Sequence, residues 1–325
     1  MLGRIVGAAA LALAAAACDP TLGLTLPSER ALEDGAAGGL TTAKSFELKG
    51  TYVTGGGTSW NVDAQFTPDA RRLTASSAGV SVEAIIVGEV AYFRGQTFLA
   101  SHMGSDPLSQ NLVKVAGNAW WAGTPGYLPQ MKEFTDGPSF RATFLGSANT
   151  QRSDHQSVDG QPAVELSGTR ADIFIASTPP YRLLRVHLKK GVVIDGLADA
   201  NLHYSNFNRV AVITAPADVI DFSNLSTLPP VYTVVSVDTS GCAAPCMVSA
   251  ALKNLGGAKG ATGPSIVTFK LAAAVSGSVL GTCQASVVPD VGYNATTTVS
   301  CTINVTSQPE NAAVVTASVD NPGHG

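Results

Sequence analysis

The stretch "SFELKGTYVTGGGTSWNVDAQF" (residues 45–66) decides the fold class. Apolar or small residues recur at every second position, first at Phe46, Leu48, Gly50 and Tyr52, then at Trp60, Val62, Ala64 and Phe66. A period of two is typical of a β-strand with one dry and one wet face. The glycine run 55–57 lies between the two sets and predicts a turn. These residues therefore predict a pair of antiparallel strands.

The same pattern continues on both sides of a helical insertion. The segments "VSVEAIIVG" (80–88) and "EVAYFRG" (89–95) predict two further strands. Helices are predicted in "DPLSQNLVKVAGNAWW" (106–121), with Ser105 or Asp106 as N-cap and Pro107 in the first turn, and in 136–148. Strands return at 162–168, 171–177, 181–190 and 200–207. This order predicts a mainly β (α+β) fold, in which a strongly curved antiparallel half-barrel sheet holds helices in its concavity.

Three stretches carry a resemblance to a known family: "VEAIIVGEVAYFRG" (82–95), "AGNAWW" (116–121) and "ANLHYSNFNRVAVITAPADVIDFSNL" (200–225). In order and spacing they resemble the LppX/LprG-type half-barrel lipoproteins, which are similar in shape to the LolA/LolB carriers. The resemblance covers residues 45–228. It implies a cavity between sheet and helices that receives the acyl chains of a lipid or lipoglycan.

Such a cavity is expected to be apolar with few polar groups, because each exposed lipid methylene is unfavourable by about 0.8 kcal/mol. The candidate lining residues are Trp60, Val62, Phe66, Ile85, Val87, Tyr92, Trp120 and Phe144. Each of them also suits an ordinary packed core. The sequence leaves that choice open.

The amino terminus, with "LAAAACDP" at 13–20, predicts export. Arg4 precedes an apolar run that is too short to span a bilayer, and small residues lead to Cys18. Residues 1–17 are thus predicted to be a lipoprotein signal peptide, with a lipidated Cys18 that anchors the protein to the bacterial envelope, outside the cytoplasm. Residues 18–44 are predicted to be a tether, with a short helix at 29–33. The alternative is an ordinary signal peptide that leaves Cys18 as a free thiol.

The last third of the sequence differs from the rest in composition and strand length. After the linker-like "NLSTLPPVY" (224–232), short Thr- and Val-rich strands predict an immunoglobulin-like β-sandwich over 229–325. The segment "SAALKNLGGAKG" (249–260) resembles bacterial cell-adhesion-related sandwich domains. A domain of this kind is expected to bind an envelope protein or glycan partner.

The remaining four cysteines lie in this last third. In an exported protein an even cysteine set favours disulfides, and the spacing does not resemble a zinc ribbon. A hairpin folded near Gly292 predicts the pair Cys283–Cys301, which leaves Cys242–Cys246 as a local bridge.

Composition and motifs limit the function classes. The net charge of −4, with 14% charged residues and no basic patch, argues against nucleic acid. The five histidines show no metal or catalytic spacing, and no nucleophile elbow or phosphate loop is present. We therefore expect neither an enzyme nor a cofactor. Two functions remain: a lipid-anchored carrier with an open apolar cavity, or an adhesion or scaffold lipoprotein with a packed interior.

Overall fold

The structure is a computed structural model that describes residues 26–209, 212–305 and 313–324. Its α-helices are α1 Glu29–Thr42, α2 Gln96–His102, α3 Pro107–Ala116, α4 Lys132–Thr135 and α5 Gly137–Phe144. The strands are β1 Phe46–Val53, β2 Ser59–Phe66, β3 Ala70–Ser77, β4 Val80–Val87, β5 Val90–Arg94, β6 Trp120–Gly123, β7 Asn149–Val158, β8 Gln161–Gly168, β9 Ala171–Ala176, β10 Leu183–Leu188, β11 Val193–Ile194, β12 Leu197–Ser205, β13 Val219–Ile220, β14 Tyr232–Asp238, β15 Cys246–Asn254, β16 Ile266–Ala273, β17 Val279–Ser286, β18 Thr296–Ile303 and β19 Ala313–Asp320.

The chain forms two compact units that interleave along the sequence. Within the described residues, the small unit combines 26–42 with 131–192, and the large unit combines 43–130 with the described part of 193–324. Neither unit coincides with the ranges 45–228 and 229–325, which stay predictions of domain boundaries. Each unit is described separately below.

The small unit packs helices on a sheet with the strand order β10-β9-β8-β7. Helix α1 begins where the short helix was predicted but continues to Thr42, so much of the predicted tether is a packed helix. The reason is burial, since Leu32, Ala36 and Leu40 are at most 5% exposed. Helix α5 approaches α1 closely because its first residue is Gly137, where a Cβ atom would lie 2.3 Å from the carbonyl oxygen of Ala37.

The sheet of the large unit runs in the order β13-β6-β5-β4-β3-β2-β1-β12. Its neighbours are antiparallel except that β13 pairs with β6 in parallel, and β11 pairs with β12. Helix α2 covers one face, where Phe98 lies 5.7 Å from Phe93 of β5 between ring centroids. The predicted cap of α3 is confirmed at Asp106, whose side chain accepts from the amides of Leu108 and Ser109.

The carboxy-terminal strands form a sandwich of two three-stranded antiparallel sheets, β14-β15-β18 and β17-β16-β19. Alternate side chains of β15 and β16 are buried in one core, including Val248, Leu252, Phe269 and Leu271. The sandwich also contacts α3, because the His324 amide donates to the carbonyl of Val115 over 2.8 Å.

Both predicted disulfides, Cys283–Cys301 and Cys242–Cys246, are present. The predicted hairpin around Cys283–Cys301 is wrong, because β17 and β18 belong to different sheets. The connection through Gly292 crosses the sandwich, so this bridge joins its two layers. Closing a loop of this length stabilises a fold by about 3 kcal/mol. With these sheets, the mainly β class with a curved mixed sheet, helices and further antiparallel sheets is confirmed.

Candidate functional site

The inner face of the large-unit sheet is the face that Phe98 of α2 covers. Strand register aligns one row of small and aliphatic side chains across β1 to β4, namely Gly50, Val62, Ala75 and Val82. The adjoining row continues to β6 and consists of Leu48, Ala64, Leu73, Ala84, Phe93 and Trp121. Gly50 is required where it stands, because a Cβ atom there would lie 1.9 Å from the carbonyl oxygen of Asn201. The result is a continuous apolar surface.

Aromatic rings flank these rows on both sides. Beside β1, the ring of Phe46 stacks on Phe66 at 5.1 Å and lies 5.7 Å from Phe207. Beside β5, the ring of Phe93 lies 4.9 Å from that of Trp121. The buried indole N–H of Trp121 has no hydrogen-bond acceptor in the described chain. A buried unsatisfied donor is costly, typically about 1–3 kcal/mol, so this group is suited to an incoming acceptor.

The inner face is closed in this structure. Leu48, Ala64, Val82 and Ala84 have no accessible surface. A side chain that lines a water-filled cavity keeps surface in contact with water, so these four residues border no such space. Burial also raises the pKa of Tyr52 to about 12, as expected for a phenol in dry surroundings.

Three of the eight predicted cavity residues lie on this inner face. Val62 and Phe66 are buried within it, and Trp60 lies half-buried at its end, opposite Tyr52. Their contact with a ligand stays a prediction.

Four other predicted residues, Ile85, Val87, Tyr92 and Trp120, lie on the opposite, outer face. The register shows this directly, because Val82, Ala84 and Ile86 of β4 belong to the inner face and their neighbours in sequence point the other way. Ile85 is opposite Tyr92, and Trp120 is adjacent to the inward Trp121. The eight residues therefore do not line one cavity on a single face of this sheet.

The eighth residue, Phe144, belongs to the small unit. It is 2% exposed and packs against Phe134 at 5.3 Å and Phe140 at 5.1 Å between ring centroids. It is part of the helical core there.

A pocket of about 330 Å³ lies on the outer face. The segment 212–216 covers it, and the strands contribute Gln65, Arg72, Ile85, Arg94 and Trp120. Two predicted residues, Ile85 and Trp120, thus share a pocket with the polar or charged side chains of Gln65, Arg72 and Arg94, beneath a mostly apolar covering segment. The two arginines in its wall distinguish this pocket from the apolar cavity expected for an acyl chain.

Glu83 neutralises part of the charge beside this pocket. Arg72 Nε donates to Glu83 Oε1 over 3.0 Å, and Arg94 pairs with the other carboxylate oxygen. Arg94 also lies 4.9 Å from the centroid of the Trp120 ring. Burial alone would raise the pKa of Glu83, but the hydrogen bonds from the two arginines outweigh it and lower that pKa. The three side chains carry one net positive charge at neutral pH.

Arg71 is a residue that the sequence interpretation missed. It is half-buried on the inner face of β3, opposite Phe66 on one side and Ile86 on the other. Its Nη1 donates to the carbonyl oxygen of Gln130 over 2.6 Å. Burial lowers the pKa of Arg71. The sequence contained a signal for this position, because the alternation that places Leu73 and Ala75 on the inner face places Arg71 there too.

Several sequence predictions find no test in the described part of the chain. The signal peptide 1–17 and the lipidated Cys18 lie outside it. Among the described residues, no helix is long and apolar enough to cross a bilayer. The same residues contain no cluster of three or more metal-ligating side chains.

The fold and site define the class as a β-rich protein with a curved mixed sheet, few helices and a β-sandwich. Among solved structures, the chain is similar to MucB, at 14% identity and a TM-score of 0.27, over 76% of this chain and 79% of that one. It is also similar to MucB in complex with MucA(peri), at 12% identity and a TM-score of 0.26, over 92% and 100% of the two chains. At these TM-scores the likeness carries no argument about function. No protein-family model and no curated protein matches the chain.

Proposed function

We propose that this protein is an exported, lipid-anchored lipoprotein that binds and carries the acyl chains of a lipid or lipoglycan on the inner face of its large-unit sheet. The observation that carries the proposal is the pair of adjoining apolar rows that contain Val62, Ala64 and Ala75. Small side chains at the centre of a sheet leave room for a chain of methylenes, and each methylene that enters gains about 0.8 kcal/mol. The face is closed here, so binding requires its cover to move.

Polar groups at the edges of the rows support the same function. A lipid site needs a dry surface with few polar groups at defined points. The Trp121 N–H without an acceptor and the half-buried Arg71 guanidinium are such groups. The function requires no catalytic residue, and Cys18 supplies the anchor.

The second candidate is a non-catalytic adhesion or scaffold lipoprotein that acts through the sandwich. The complete burial of Leu48 and Ala84 favours it, because a packed interior leaves no space for lipid until the cover moves. The sandwich also exposes large apolar side chains such as Val235 and Met247, which suit a protein partner.

One pair of variants separates the two functions. Val62→Trp places an indole in the centre of the inner face, whereas Val87→Trp makes the same change on the outer face. We expect Val62→Trp to weaken binding of a fluorescent palmitate analogue by about tenfold or more, because the loss of two methylene contacts already has that effect. Val87→Trp is expected to bind like the unmodified chain. Titration of the probe into each purified protein measures both.

Overpacking a closed face can destabilise it by about 1–3 kcal/mol, so circular dichroism must show that each variant is folded. Val62→Met is the milder variant if Val62→Trp unfolds, and it should weaken binding in the same direction. An unmodified protein that is folded and binds no probe would contradict the proposal and favour the scaffold function. A loss of binding confined to Val87→Trp would move the site to the outer face.

A further inference from the structure

Arg71 is the only charged side chain on the inner face of β1 to β6. The register places it in the row with Phe66, Ile86 and Ala91, next to the stacked rings of Phe66 and Phe46. The other inward positions of these strands carry apolar or small side chains, with hydroxyl groups at Tyr52 and Ser77. A single cation at the edge of such a surface is a functional feature, because a charge in apolar surroundings is costly unless an anion accompanies it.

The surroundings of Arg71 supply dipoles but no anion. Its Nη1 donates to the carbonyl oxygens of Gln130, over 2.6 Å, and of Pro129, over 3.4 Å. Its Nη2 donates to the side-chain oxygen Oε1 of Gln130 over 3.3 Å. Within the described chain, no carboxylate forms an ion pair with Arg71, and its Nε–H makes no hydrogen bond. Among the described residues, the guanidinium thus has no counter-ion, and its Nε–H is left as a donor.

The adjacent Arg72 shows what a paired arginine looks like in this strand. It points to the outer face and forms an ion pair with Glu83. Two consecutive arginines thus differ in face and in partner. This difference gives a matched comparison in which the change in net charge is the same.

We propose that Arg71 binds the head group of an acidic lipid through its oxyanion, which is a phosphate or a carboxylate. This inference rests on the function proposed above, in which the acyl chains of that lipid occupy the inner-face rows. A guanidinium is suited to this because its planar donors match the geometry of carboxylate and phosphate. The aromatic pair Phe46 and Phe66 continues the row of Arg71 across β2 and β1, directly beside the apolar row that contains Ala64 and Leu73. A zwitterionic head group also has a phosphate, but its own cation competes with Arg71 for that oxyanion, so the proposed substrate class is an anionic lipid.

The test compares head groups on matched acyl chains. The chain from Asp19 onward is titrated with dispersed phosphatidylglycerol and, in a separate experiment, with phosphatidylcholine of the same acyl composition. We expect the unmodified protein to prefer the anionic lipid by about tenfold, the size of one charge-assisted hydrogen bond. Arg71→Gln should bring this preference close to one, and Arg72→Gln should leave it unchanged. Arg71→Lys, which keeps the charge, should retain part of the preference.

The outcomes separate this inference from the proposed function. Equal affinity of the unmodified protein for the two lipids overturns the head-group site, while acyl-chain binding stands. An equal effect of Arg71→Gln on both lipids shows that Arg71 only holds the segment at Gln130, and it also overturns the inference. Binding of inorganic phosphate through Arg71 without binding of either lipid assigns the site to a free oxyanion and contradicts both proposals. A preference that Arg71→Gln alone removes supports the inference.

Discussion

Replacement of Asn254 by leucine is expected to destabilise the sandwich by more than about 3 kcal/mol. The side chain is fully buried, and its Oδ1 accepts from the amides of Val231 and Gly256 over 2.9 and 3.0 Å. Its Nδ2 donates to the carbonyl oxygens of Gly257 and Val291 over 2.7 and 2.6 Å. Leucine has a similar volume but leaves four backbone groups without this partner, and each buried unsatisfied group costs about 1–3 kcal/mol.

Hydrogen exchange measured by mass spectrometry on peptides from β15 and β16 reports this loss locally. The local readout is needed because the three tryptophans, at 60, 120 and 121, all lie before the sandwich in the sequence. Asn61→Leu makes the same change at an exposed position of β2 and should alter stability by less than about 0.5 kcal/mol. Similar exchange rates in the two variants would show that the Asn254 network does not hold the sandwich together.

Replacement of Cys18 by serine is expected to move the protein from the membrane fraction to the soluble fraction. A lipidated cysteine carries at least two acyl chains, and two chains hold a protein on a bilayer where one gives only marginal binding. Since each buried methylene contributes about 0.8 kcal/mol, loss of the anchor changes membrane affinity more than any single side chain does. Ultracentrifugation of cell lysates followed by immunodetection measures the distribution.

The control for this prediction is the double variant Cys242→Ser and Cys246→Ser. It also removes cysteines, here a local disulfide, but leaves the predicted lipidation site intact, so it should remain with the membranes. A Cys18→Ser protein that still sediments with membranes would show that another feature holds it there.

Period-two alternation predicted β1 and β2 correctly, because one face alone of each strand is apolar, but the same pattern in β3 was missed. The residues from Phe46 to Phe66 form β1 and β2 in the expected pairing, with Phe46 opposite Phe66. The Asp-Pro sequence at 106–107 marked the start of α3 because the Asp side chain caps free amides and proline suits the first turn.

For β4, alternation could not show which side chains point to the inner face. Its residues Ala84, Ile85, Ile86 and Val87 are apolar at both parities, so alternation offers no choice. The structure decides it through the neighbours, since Ala84 is opposite Leu73 and Phe93. Alternation therefore gives no basis for choosing Ile85 and Val87 over Ala84 and Ile86 as the residues that face the cavity.

Two further differences have tertiary causes. The segment "GAAGGLTT" (35–42) has no strong helical stripe, and burial of Ala36 and Leu40 extends α1 through it. Cys283 and Cys301 are close in sequence, but the turn between them crosses the sandwich instead of forming a hairpin. Neither the extension of α1 nor the path of the chain between the two cysteines can be read from the local sequence pattern.

The most direct test of acyl-chain binding is mass spectrometry of an organic-solvent extract of the protein. The chain from Asp19 onward, without the predicted anchoring residue Cys18, is purified from a lipid-rich bacterial host, so any lipid in the extract was held non-covalently. The proposed function predicts lipid in stoichiometric amount, lost in Val62→Trp and retained in Val87→Trp. A folded, monomeric protein that yields no lipid would contradict it and assign the binding function to the sandwich.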